Sequence, residues 1–267
     1  MLFKQYLLKQ KIGKFSYFIW DSEKKTIKSV NNFKPLNIKL IIGIDNQKKI
    51  LLENTINFTE GNFTNNALLW GARGNGKSTL IKSVFNKVAE EHKILKLVQL
   101  NKNNIFDIEI IYNIIGKFSQ FRFILFIDDL SFENIDSDYK IIKSTLDGSI
   151  QNQPKNILLY VTSNRRHLMS RDMIDNERSS AIHTDESVDE KISLSDRFGI
   201  WIGFHKLSQE DYLKIIKSYC LYYKIDCSNE IETKAIQWSL QRGNRNGRTA
   251  WQFILDIAAK KNLKIDY

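Results

Sequence analysis

The nine residues Gly71-Ala72-Arg73-Gly74-Asn75-Gly76-Lys77-Ser78-Thr79 have the types and spacing of a phosphate cradle. They fit G-x-x-x-x-G-K-[ST] at every position, between an apolar run, Ala67–Trp70, and a helical pattern. Glycines let the backbone curl so that several N–H groups converge on phosphate oxygens. A helix opening near Lys77 adds the positive end of its dipole. Lys77 brings a mobile cation toward the β- and γ-phosphates, and Ser78 brings a hydroxyl for Mg²⁺. A chance Gly-rich turn would have to fall between a strand and a helix and also carry Lys-Ser.

Some fifty residues on, Phe123-Ile124-Leu125-Phe126-Ile127 ends in Asp128-Asp129. A buried strand that finishes in two carboxylates delivers them to the edge of a parallel sheet where ligands bind. There Asp128 would hold Mg²⁺ through water, and Asp129 would orient or deprotonate an attacking water. A solvated acidic turn is the competing reading, and Glu133 is a lesser candidate for the base. A third run, Ile157–Val161, leads into Thr162-Ser163-Asn164. Asn164 could meet a γ-phosphate or position the water, or it could cap the next turn; Arg165 and Arg166 follow it. Arg197, in Leu194–Gly199, could reach a phosphate in a neighbouring subunit, where such a cation is worth ~10³–10⁵ in rate. A surface ion pair with Asp196 or Glu190 competes. The cationic turn Arg242–Arg248 opens the final helix. Arg248, in the first helical turn, opposes the dipole and so calls for an anion nearby, unless the turn is simply exposed.

The elements that must carry these groups follow from hydrophobic patterning. Strand-sized apolar runs (Ala67–Trp70, Ile94–Leu100, Phe123–Ile127, Ile157–Val161, Ile200–Phe204) alternate with helical stretches (Lys77–Glu90, Asp107–Phe118, Asp138–Ile150). This alternation predicts an α/β fold, a parallel sheet sandwiched by helices. After Phe204 the pattern changes to three consecutive helices, Ser208–Tyr222, Glu230–Gln241 and Arg248–Lys261. The expected organisation is a basic N-terminal arm (1–40), an α/β nucleotide-binding core (41–206) and a helical lid (207–267). Within the core, Ser170–Lys191 reads as a long polar surface insertion.

Composition bounds the rest. Of the formal charge of +10, the first fifty residues carry +8, eleven lysines against Asp21, Glu23 and Asp45. Such an arm could bind nucleic acid. An A/T-rich genome would produce the same lysines, and no Arg-rich patch or zinc-finger spacing accompanies them. The aromatics Phe15, Tyr17, Phe18 and Trp20 could stack on bases, but a small sub-core is the simpler expectation. No run approaches the ~18 apolar residues of a membrane span, and no leader is evident. Two cysteines, Cys220 and Cys227, are too few for a disulfide framework, which points to a reducing, cytoplasmic setting. The four histidines are scattered and make no metal site.

Taken in order, these motifs resemble the AAA+ ATPases over about Leu40 to Leu263. In that pattern Gly71–Ser78 is Walker A, Asp128-Asp129 is Walker B and Asn164 falls at sensor 1. Arg197 stands at the arginine-finger position and Arg248 at sensor 2 of the lid. The stretch Ile41-Ile42-Gly43-Ile44-Asp45 resembles the segment that packs on adenine. The resemblance implies ATP and Mg²⁺ as cofactors, hydrolysis coupled to a macromolecular partner, and a homo-oligomer completed by Arg197. Most members end Walker B in Asp-Glu. Asp-Asp, found also in bacterial replication initiators, leaves open a slowly hydrolysing switch. The strings ALLWGARGNGKS, FILFIDDLSFE, TSNRRHL and KISLSDRFG are similar to a bacterial family of predicted AAA+ ATPases of unassigned function.

Overall fold

A computed structural model of the chain describes residues 2–130, 153–165 and 197–265. The expected helix 138–150, Glu133, Arg166 and the insertion 170–191 lie outside the described residues. The strands are β1 (Tyr17–Asp21), β2 (Thr26–Ser29), β3 (Ala67–Gly71), β4 (Leu95–Leu100), β5 (Arg122–Ile127), β6 (Ile157–Ser163) and β7 (Ile200–Phe204). They form one sheet in the order β2-β1-β4-β5-β6-β3-β7. Among the described residues only the β1–β2 hairpin is antiparallel; every other pairing is parallel. The described helices are α1 (Leu2–Lys14), α2 (Asp45–Glu60), α3 (Lys77–Glu91), α4 (Ile108–Ile115), α5 (Gln209–Tyr222), α6 (Asn229–Gln241) and α7 (Gly247–Lys260).

Parallel strands covered on both faces read as unbroken apolar runs rather than alternations. All seven residues of β6 are buried, as are Phe123 to Ile127 of β5. Successive side chains serve opposite faces. Thus Leu69, Ile124 and Leu158 join one core with α2, α3 and the C-terminal helices. Leu68, Leu125 and Leu159 join a second core with α4 and β1. The switch to helices after Phe204 is as expected. Ser208 caps α5 by accepting the Asp211 N–H at 3.0 Å, with Glu210 and Asp211 in the first turn.

The first forty residues, expected as a basic arm with a small aromatic sub-core, are built onto the sheet. Helix α1 precedes a hairpin that extends the sheet beyond β4, and Phe18 and Trp20 are buried beneath it. Lys11 and Lys25 of this segment are bonded within the protein. Lys11 Nζ donates to the Ile27 carbonyl, and Lys25 Nζ reaches Asp107 at 2.7 Å. Asp107, which also accepts the Trp20 indole N–H at 2.8 Å, thereby ties hairpin to core. Charge alone marked this segment only as a basic arm. The packing of its aromatics, against a strand some eighty residues distant in sequence, gives it a place in the sheet.

Candidate functional site

The open end of the sheet, where β3, β5 and β6 finish, faces a cleft of about 800 Å³. Its floor is the turn from β3 into α3, whose backbone needs left-handed conformations at Gly71 (φ 134°), Gly74 (82°) and Gly76 (92°). At Gly71 the constraint is also steric: a Cβ would stand 2.1 Å from the Phe204 carbonyl oxygen of β7. Arg73 to Thr79 line the cleft, while Gly71 and Ala72 contribute their carbonyls.

Lys77 folds back on its own turn. Its Nζ donates to Gly71 O at 2.6 Å, Ala72 O at 2.9 Å and Asn164 Oδ1 at 3.0 Å. Burial pushes the ammonium pKa below its ordinary value, the nearby Asp129 and Asp128 carboxylates work against that shift, and Arg248 and Arg73 add to it. The same amino group is thus within reach of a phosphate chain laid in the turn.

Strand register brings the acids to it. Val161 pairs with Ile127, so the next residues of the two strands, Thr162 and Asp128, meet. Thr162 Oγ1 donates to Asp128 Oδ1 at 2.6 Å and accepts the Asp129 N–H at 2.9 Å. Ser78 Oγ donates to the same Asp128 oxygen at 2.5 Å. Asp129, in the left-handed region (φ 56°), turns its carboxylate toward Asn164 Nδ2 and, at 3.6 Å, the Arg73 guanidinium. Asn164 therefore bridges Lys77 and Asp129. Its amide orientation is dictated by chemistry, since the ammonium requires the oxygen and the carboxylate the nitrogen.

The C-terminal helices supply the remaining wall. Arg248 lines the cleft near the Gly71–Ser78 turn, and its N–H donates to Gly74 O at 3.2 Å. An apolar end follows, made by Leu36, Leu40, Ile41, Leu207, Tyr219 and Trp251. Gly43 does not itself line the cleft. Its left-handed conformation (φ 81°) sets the bend between Ile42 and Ile44, which do. Arg197 stands in the turn just before β7 and is not among the lining residues, and neither is Arg165.

Ser78 and Asp128 offer hydroxyl and carboxylate oxygens on one side of the turn, with room left in the cleft. That donor set suits Mg²⁺, which takes oxygen ligands, keeps several waters and needs few protein groups besides substrate phosphates. Among the described residues no group of three or more His, Cys, Asp or Glu gathers elsewhere. Residues that the sequence did not single out are Thr162, Asn246 and Trp251. Thr162 was visible as the first polar residue after an apolar strand. Trp251 packs on Tyr219 at 5.5 Å between ring centroids and also borders the cleft.

Comparison with known proteins agrees with this architecture. A family model described as protein of unknown function (DUF815) matches residues 13–261. No curated protein matches the chain in sequence. Among solved structures, a RuvB mutant from Thermotoga maritima is similar with a TM-score of 0.57 and 19% identity, over 87% of this chain and 69% of that one. Domain III of the Thermotoga maritima replication initiation protein DnaA follows at a TM-score of 0.53 and 15% identity, over 87% and 94%. The Aeropyrum pernix ORC1 protein, solved in complex with DNA, gives a TM-score of 0.56 and 14% identity, over 82% and 61%. These neighbours are AAA+ ATPases, and the shared fold is of that type.

Proposed function

We propose, for a chain that belongs to the DUF815 family and is built on the AAA+ fold, that it is a magnesium-dependent ATPase acting on a macromolecular partner. The observation that carries the reading is the meeting of Ser78 and Asp128, at 2.5 Å, beneath the cleft that Lys77 also lines.

The roles follow from position. Backbone N–H groups of the Gly71–Ser78 turn and the N-terminus of α3 would receive the phosphate chain. Lys77 would exchange its carbonyl contacts for β- and γ-phosphate oxygens. Ser78 and Asp128 would hold Mg²⁺, which when bound neutralises charge on the phosphates being separated. Asp129 would orient an attacking water and draw off its proton, and Asn164 would keep that carboxylate and the water in line. The apolar end, from Leu36 to Trp251, would take the base, and Arg248 would lean on the phosphates from the lid. Arg197, which stands apart from the cleft of its own chain, would serve a neighbouring subunit of a homo-oligomer.

ATP turnover of the wild type against Lys77→Ala tests this reading. Loss of a preorganised cation at a developing charge is expected to cost ~10²–10³ in rate. Equal rates would refute it. A second reading, a slowly hydrolysing switch, draws on Asp129, whose carboxylate is engaged by Asn164 and Arg73. Tight ATP binding with negligible turnover at every protein concentration would favour it. DNA is the first partner to try, since ORC1 was solved bound to it and DnaA is a replication initiator. Lys11 and Lys25, engaged by Ile27 O and Asp107, are less available for anchoring by that segment.

A further inference from the structure

The phosphate motif requires glycine at positions 71 and 76, but not at 74. Gly74 is nevertheless held at φ 82°, and the space a Cβ would occupy is taken by the lid. A Cβ there would lie 2.7 Å from Asn246 Nδ2, 2.8 Å from its Cγ and 2.9 Å from its Oδ1. The Asn246 amide lies flat on the turn, and its two ends do different work. Oδ1 caps α7, accepting the Thr249 N–H at 2.9 Å and the Thr249 hydroxyl at 3.0 Å. Nδ2 faces the Arg73 carbonyl at 3.4 Å. Two residues on, the Arg248 N–H donates to the Gly74 carbonyl at 3.2 Å. The carbonyls of the turn's outer corner are therefore held by the first residues of α7.

We propose that Asn246 is a positioning residue that clasps the lid to the phosphate turn, so that Arg248 and Trp251 reach the cleft only while that turn keeps its curled form. A cap needs an acceptor alone, and Ser would serve as well as Asn. The clasp needs the donor arm as well, and the bare backbone of Gly74 beneath it. The role rests on the nucleotide-binding reading above for its consequence in turnover, but not for the contact itself.

The test uses Asn246→Ser, which keeps a capping oxygen and is too short to reach Arg73 O, beside Asn246→Ala, which removes both functions. The first readout is hydrogen exchange in the nucleotide-free full chain, which needs no activity. In Asn246→Ser the Arg248 amide and the amides of residues 73–76 should exchange faster by about 3- to 10-fold, the worth of one hydrogen bond. Amides in the body of α7 should be unchanged, and the folding equilibrium should weaken by no more than the same factor. Gly74→Ala should reproduce the same exchange pattern. The second readout is nucleotide kinetics, where Asn246→Ser should raise KM for ATP by a similar factor with little change in kcat. Wild-type exchange in Asn246→Ser, with an effect in Asn246→Ala alone, would reduce Asn246 to a helix cap and overturn the clasp. Altered exchange in a protein whose wild type turns over no ATP would keep the clasp and remove the ATPase reading.

Discussion

Lys96 lies on β4 with its side chain buried and its Nζ donating to the Phe15 carbonyl at 2.9 Å, 5.2 Å from the centre of the Phe121 ring. Burial, with a smaller contribution from the neighbouring charge of Lys93, lowers its pKa from 10.5 to about 8. The sign of the consequence is set by proton counting. Between pH 8 and 10.5 the unfolded chain keeps the proton and the folded chain releases it, so folding gains stability as pH rises through that window. At about 1.4 kcal/mol per pKa unit, the full gain is about 3 kcal/mol. Well below pH 8 both states are protonated and the cost of burying the charge is constant. Urea unfolding of the wild type and of Lys96→Met at pH 7, 8, 9 and 10 isolates this group, because other titrations cancel in the difference. The wild type should gain on the variant by about 1 kcal/mol per unit above pH 8 and by only about 0.3 kcal/mol between 7 and 8. A difference that stays level across the series would refute the assignment of a strained ammonium beneath the N-terminal segment.

Further outcomes follow from the site. Ser78→Ala and Asp128→Asn should each abolish the Mg²⁺ dependence of nucleotide affinity, read by titration with and without the metal; a dependence that persists in both would remove the proposed cation site. Asp129→Asn should retain ATP binding and lose turnover by ~10²-fold or more, whereas unchanged turnover would dismiss Asp129 as the base. Gly71→Ala should lower the unfolding free energy by at least ~1–3 kcal/mol, because a left-handed backbone is joined by a clash with Phe204 O; a wild-type melting curve would contradict the tight approach of β3 to β7. Specific ATPase activity should rise with protein concentration if Arg197 acts across subunits, and Arg197→Ala should flatten that rise.

The Gly71–Ser78 turn and the acids that end β5 were legible because each is a local pattern. A Gly-rich turn between a strand and a helix can be read in nine residues, and a buried strand announces where its terminal carboxylates emerge. The parallel sheet was legible for a similar reason, since strands buried on both faces become continuous apolar runs such as Phe123–Ile127. The β1 strand escaped because five residues with one exposed isoleucine carry little periodicity, and their partner β4 lies far along the chain.

Thr162 and Asn246 belong to another class. Nothing in their own surroundings marks a threonine after a strand, or an asparagine before a helix, as part of a phosphate site. Thr162 acquires its place from the register of β5 against β6, which stacks it beside Asp128. Asn246 acquires its place from the packing of three C-terminal helices, which lowers the start of α7 onto Gly74. The sequence by itself determined the Gly-rich turn and the acids that end a buried strand, because each is a pattern complete within its own segment. Only the tertiary structure decided which residues brace them, because bracing is done across strand pairs and between helix and turn, at distances that spacing in sequence does not record.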